Sequence, residues 1–302
     1  MKTKLKTSIV LAALLLTACF ISLAEPQKTE IVYAKLDNAG KTSGVYIVNL
    51  FESDEAATLK DYGDYEKTVN LSHMDAVSLK GDEVAFSMEP GRFLYQGNLK
   101  DKALPWDIKI DYALDGKAVS PEELSGAKGE LNIKLGIRPN EGFESFTGNM
   151  LLQGTLSFPI ESVFSIEAQG AVKAYAGTNI TLSYVVLPGM EAEYAINAQV
   201  KDFSMPPIQI AGLKMSMDNE MLGKYLSKTL EDSPFQQVAK NMVNSMLGAD
   251  IKPISFADKR NGEISSLQFV FMTEGIAEKP KPKVETQKEA DKSIWDKIAD
   301  LF

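Results

Sequence analysis

Apolar and polar residues alternate with a period of two through most of residues 28–276, the pattern of strands with one wet and one buried face. It is clearest in WDIKIDYAL, where Ile108, Ile110, Tyr112 and Leu114 take every second place, and in GELNIKLGI, where Leu131, Ile133, Leu135 and Ile137 do the same. Upstream, EIVYAKLDNAGKTSGVYIVNLFES predicts a hairpin: an apolar strand through Ile31 and Tyr33, a turn over 37–40, and a return over 45–50. Further strands are expected over 76–79, 83–88 and 92–99. Asp115-Gly116 is a tight-turn signal. Ser120-Pro121-Glu122-Glu123 predicts a short helix start, with Ser120 as cap, Pro121 in the first position, Glu123 reaching back and Gly126 ending it.

Arg138-Pro139-Asn140-Glu141-Gly142 is polar and turn-rich, so the chain is expected to divide there. After it, MLLQGTLSFPI, FSIEAQGAVKAYAG, NITLSYVVLPG, EYAINAQVKDFSM and SSLQFVFMTEG are again short alternating segments separated by Gly, Pro and Asn. Two stretches switch to helical spacing. Leu222, Tyr225, Leu226 and Leu230 predict a helix over 219–230, and Phe235, Val238, Met242, Val243 and Met246 predict one over 234–247. The expected fold class is therefore mainly β: two antiparallel β-sandwich-like domains over 28–138 and 139–276, the second carrying two packed helices. Met215, Met217 and Met221 read first as core filler, with an adaptable binding groove as the alternative.

Residues 277–292 are mostly charged or Pro and cannot bury enough apolar surface to fold, so a flexible linker is expected there. Beyond it Ile294, Trp295, Ile298, Leu301 and Phe302 fall on one face of an amphipathic helix over 293–302. A helix this short needs a surface to order against. A membrane surface or an envelope membrane protein is the expected partner.

At the other end, Lys2, Lys4 and Lys6 precede an apolar run over 9–18, and residues 1–24 are expected to be an export signal. Leu16-Thr17-Ala18-Cys19 has the pattern of a lipoprotein processing site, making Cys19 a lipidation candidate. Ser22-Leu23-Ala24 also suits ordinary cleavage after Ala24. Cys19 is the sole cysteine, so no disulfide within one chain can form. The formal net charge is −9, and more negative still without the three leader lysines. Such a surface repels nucleic acid and anionic head groups, so no nucleic-acid partner is expected.

The candidate chemistry is sparse. One histidine, His73, cannot build a two-histidine zinc site, and neither HExxH, CxxC, GxSxG nor a phosphate-binding loop occurs. No cofactor is expected. The acidic stretch Asp61-Tyr62-Gly63-Asp64-Tyr65-Glu66 leaves Asp61 and Asp64 as weak candidates for a cation site or for the carboxylate pair of a glycan hydrolase. A tight acidic turn between strands is the plainer reading. Tyr62, Tyr65, Phe93, Tyr95 and Trp106 suit either a carbohydrate-stacking face or cross-strand packing.

VYIVNLFES, the DYGDY turn, LPWDIKIDYALDGKAVSPEELSGAKGELNIKLGIRPN, NMLLQGTLSF and VKDFSMPPIQIAGL resemble a family of uncharacterised secreted or membrane-attached bacterial envelope proteins. The LDG…PEELSG…G stretch is similar to a segment in extracytoplasmic regions of YhgE/Pip-type membrane proteins. The resemblance implies an extracytoplasmic envelope protein serving a membrane transport system, and it carries no catalytic residue. The expected function is a non-enzymatic binding or scaffold protein at the cell envelope; the alternative is a carboxylate-dependent cell-wall glycan hydrolase using Asp61 or Asp64.

Overall fold

The computed structural model describes residues 26–214 and 252–278. Cys19 and the leader, the helices expected over 219–230 and 234–247, the linker beyond Glu278 and the helix over 293–302 lie outside the described residues. Within them the chain is mainly β, as the alternation predicts.

Three sheets are present among the described residues. The largest has nine strands. Its first-half members are β1 (Gln27–Leu36), β2 (Thr42–Ser53), β4 (Tyr65–Asn70) and β7 (Gly91–Leu99), and its second-half members are β11 (Met150–Pro159), β13 (Val172–Ala176), β14 (Asn179–Val186), β16 (Gln209–Lys214) and β17 (Ser266–Met272). They run in the order β13-β14-β11-β16-β17-β1-β2-β7-β4. A five-stranded sheet joins β8 (Trp106–Leu114), β9 (Lys117–Ala118) and β10 (Gly129–Pro139) to β15 (Ala192–Val200) and β12 (Val163–Ala168). The third sheet is β3 (Ala57–Tyr62), β6 (Glu83–Met88) and β5 (Ser78–Lys80).

Both larger sheets cross the boundary expected at 138/139. Pro139 is the last residue of β10, paired with Trp106 rather than opening a junction, and β1 lies parallel to β17 from Thr29 opposite Ser266 to Lys35 opposite Met272. Alternation tells which residues of a strand face inward; it does not tell which distant strand lies beside it. One core cluster runs through all three sheets. At one end Trp106 of β8 stands edge-on to Phe269 and Phe271 of β17, with ring centroids 5.4 and 6.0 Å apart. At the other, Phe86 of β6 packs on Phe51 and Phe93 of the nine-stranded sheet at 4.9 and 4.4 Å.

The turns follow their local chemistry. In the first hairpin Asp37 Oδ1 accepts from the N–H groups of Ala39 and Lys41. Asp115 and Gly116 both take positive φ, 50° and 76°, as a two-residue turn between β8 and β9 requires. The expected short helix is a single 3-10 turn over Pro121–Leu124, in which the Ser120 N–H donates to Glu123 Oε2.

Ile31 and Tyr33 lie on the half-buried outer face of β1, where Tyr33 stacks on Tyr46. The inward face carries Lys28, Glu30, Val32, Ala34 and Leu36.

Candidate functional site

Because β1 turns Lys28 and Glu30 inward, two charged side chains enter the core at the level of β3. Glu30 is fully buried and Lys28 is 8% exposed. In register beside Glu30 stands Asn49 of β2, and beside that Tyr95 of β7, so one row across three strands is polar. Asp61 of β3 closes the group from the opposing sheet and is itself buried.

The Lys28 ammonium lies 2.6 Å from Asp61 Oδ1 and 2.7 Å from Glu30 Oε1. Tyr95 donates its hydroxyl to Asp61 Oδ2 at 2.5 Å. Ser255 donates to Glu30 Oε1, while the N–H groups of Phe256 and Ala257 donate to Glu30 Oε2 at 2.7 and 3.3 Å. Glu30 thereby organises the segment that leads into β17. Asn261 clamps the same segment to β3: its Nδ2 donates to the Tyr62 carbonyl and its Oδ1 accepts from the Tyr62 N–H.

Tyr65 extends the network. Asn49 Nδ2 donates to its hydroxyl at 3.2 Å, and its ring meets that of Tyr95 edge-on at 6.2 Å. The Tyr65 ring fits only because Gly63 and Gly97 flank it; a Cβ at either glycine would collide with it.

Burial pushes the Asp61 carboxyl above its ordinary value; the Lys28 ammonium and the Tyr95 hydroxyl pull it back only in part, and Glu30 adds to the rise. Burial likewise holds the Tyr65 and Tyr95 hydroxyls well above theirs, and the Asp61 charge adds to both.

A cleft of about 790 Å³ opens above this cluster. Lys28 and Asp61 form its charged floor, Phe51, Leu59 and Ile264 its apolar wall, and Lys252 and Glu263 part of its rim.

The candidate residues part company here. Asp61 belongs to the buried network, whereas Asp64 faces solvent and pairs with Lys100, so the two acids do not converge. Tyr62 carries the Arg260 guanidinium 4.4 Å above its ring. Tyr65, Phe93, Tyr95 and Trp106 are core residues, which removes them from any carbohydrate-stacking surface. His73 is exposed, with its N–H on Asn70 Oδ1, while the nearby Ser72 hydroxyl accepts from the Leu94 N–H. Among the described residues no group of three or more His, Cys, Asp or Glu is placed to hold a metal ion. Cys19, Ile294, Trp295, Ile298, Leu301 and Phe302 lie outside the described residues. Lys28, Glu30 and Ser255 escaped the sequence reading. Their one signal is that Lys28 and Glu30 share a face with Val32 and Ala34.

No family model and no curated protein matches the chain. Among solved structures it is similar to the Fcho1 mu homology domain of Danio rerio with bound Eps15 peptide, at 10% identity over 84% of this chain and 97% of that one, with a TM-score of 0.40. It is also similar to the yeast delta-COP-I mu-homology domain complexed with a Dsl1 WxWxV peptide, at 7% identity over 82% and 95%, with a TM-score of 0.39. Neither likeness bears on what this chain does.

Proposed function

We propose that this chain is a non-enzymatic binding or scaffold protein of the bacterial cell envelope, working outside the cytosol as an accessory to a membrane transport system. The observation that supports the non-enzymatic reading is the state of the buried acids. Both oxygens of Asp61 and both of Glu30 already accept from protein donors. A general acid or nucleophile needs an oxygen turned toward substrate; these are turned toward Lys28, Tyr95 and the 255–257 backbone, where they tie β1, β3 and the approach to β17 together.

The envelope reading rests on the leader pattern, the lipidation candidate Cys19, and the apolar face of Ile294, Trp295, Ile298, Leu301 and Phe302. Two weak attachments on one chain reinforce each other through effective concentration. Deleting residues 293–302 and measuring the fraction that sediments with envelope membranes tests the second contact. A clear loss is expected, and unchanged association would remove the tail from the proposal. The intact mass of the exported protein reports lipidation of Cys19.

A second reading, a carboxylate-dependent cell-wall glycan hydrolase, is favoured by the place of Asp61 on the floor of an open cleft with its carboxyl pushed up. Turnover of cell-wall glycan by the wild type that is lost in Asp61→Asn or Asp64→Asn would establish it in place of the binding role. We expect none.

A further inference from the structure

Sheet edges are where a β protein is open to another chain, because an edge strand presents a row of unpaired N–H and C=O groups. Most edges here are blunted. At one end of the nine-stranded sheet β4 is irregular between Tyr65 and Lys67, and it carries Glu66 and Lys67. In the five-stranded sheet β12 is irregular between Val163 and Ser165, and β9 is two residues long. In the smallest sheet β5 has three residues, ending in Lys80, and β3 is tied by Asn261.

The remaining edge among the described residues, β13, is neither interrupted by a bulge nor cut to two or three residues nor tied by a side-chain clamp. It pairs with β14 in unbroken register from Val172 opposite Ser183 to Ala176 opposite Asn179, and all five of its residues are exposed. Two of its side chains are apolar and widely exposed, Val172 at 71% and Tyr175 at 70%, and Val185 of the neighbouring β14 is 51% exposed. Its one charged residue is Lys173, whose ammonium reaches the Ile166 carbonyl at a long 3.4 Å.

The five residues Val-Lys-Ala-Tyr-Ala are complementary to themselves when reversed. In an antiparallel pair centred on Ala174, Lys173 of each copy lies opposite Tyr175 of the other, and Val172 lies opposite Ala176. Lys173 and Tyr175 share the face that pairs with buried Leu182 and Ile180, whereas Val172, Ala174 and Ala176 share the face of Ser183, Thr181 and Asn179. Two ammonium–tyrosine pairs therefore form on one face, small residues meet on the other, and Ala174 on the two-fold axis lets the backbones approach. We propose that β13 is a self-association edge at which a second copy of this chain pairs antiparallel about Ala174, joining two nine-stranded sheets through an isologous contact.

A contact resting on two five-residue strands is small and so concentration-dependent. Sedimentation equilibrium of the full chain at about 1 to 100 μM should show a monomer–dimer equilibrium. Tyr175→Lys sets Lys173 opposite a lysine and should weaken the dimer on the order of tenfold or more. Exchanging the two residues, Lys173→Tyr with Tyr175→Lys, recreates the cross-strand pair and should restore it. Lys173→Pro removes a backbone donor that faces away from β14 toward the second copy, and should abolish it. Both positions of change are exposed, and far-UV circular dichroism checks that the variants fold. A wild type that stays monomeric throughout overturns the proposal. So does a dimer that persists in both Tyr175→Lys and Lys173→Pro, or a double exchange that fails to recover association.

Discussion

Replacing Lys28 with Met tests whether the buried cluster is a strut. In the native protein the ammonium of the Lys28 side chain, which is 9% exposed, serves two carboxylates at 2.6 and 2.7 Å. Without it Glu30 keeps Ser255 and the two backbone donors, but Asp61 keeps only Tyr95, and two like charges are left with no cation between them. Removing one partner of a buried pair costs about 3 to 5 kcal/mol, because the stranded charge cannot be solvated. The contrasting surface pair is Lys60–Glu83, whose side chains are 62% and 32% exposed; Lys60→Met should cost at most about 1 kcal/mol. In urea unfolding at neutral pH, Lys28→Met should lower the midpoint by about 1 to 3 M, while Lys60→Met moves it by no more than a few tenths. The Lys28→Met penalty should shrink on acidification, because the Asp61 carboxyl, already pushed up, takes a proton and removes one stranded charge. A Lys28→Met variant as stable as Lys60→Met, or a penalty that grows on acidification, would refute the strut.

Three further outcomes are expected. The folded-state carboxyl of Asp61 is raised, so its stabilising contribution is full below the ordinary carboxylate range and is lost as pH rises through the raised value. The stability gap between wild type and Asp61→Asn should therefore be widest below the ordinary carboxylate range and narrow as pH rises from there toward neutrality, measured by urea unfolding at each pH. Gly97→Ala drives a methyl into the fully buried Tyr65 ring and should cost about 1 to 3 kcal/mol, read as a fall in Tm. The hydroxyls of Tyr65, Tyr95 and Tyr112 are held up chiefly by burial, and that of Tyr184 is pushed up to about 12. Stability should be full below the ordinary tyrosine value and fall as pH rises through the raised ones, with tyrosinate absorbance in that group appearing together with unfolding.

Much of the strand content was legible because it depends on neighbours in sequence. Ile108, Ile110 and Tyr112 alternate visibly, and they do face the core. Turn chemistry at Asp37 and Asp115 was legible for the same reason. Sheet membership was not: nothing local to β1 or β17 announces that they lie side by side, so a polar stretch at 138–142 looked like a boundary. The site was hidden by a different effect. In QKTEIVYAKL both faces carry apolar residues, and reading the strand through Ile31 and Tyr33 sends Lys28 and Glu30 to solvent. Only the partners supplied by β3 and by 255–257, remote in sequence, reveal why two charges can be buried there. Asp61 was singled out for its acidity, but its neighbour Asp64, three residues on, points into water.

The parallel pairing of β1 with β17 has a bearing on how the chain is made. Whether the chain emerges from a ribosome or from an export pore, β1 arrives early and β17 late, so the middle of the widest sheet must wait, one flank bare, until nearly all the described chain has emerged. The Ser255, Phe256 and Ala257 donors that quiet Glu30 arrive in that same late stretch. Until then a carboxylate meant for the interior has no reason to leave water, which delays closure of the central sheet until its true neighbour is present.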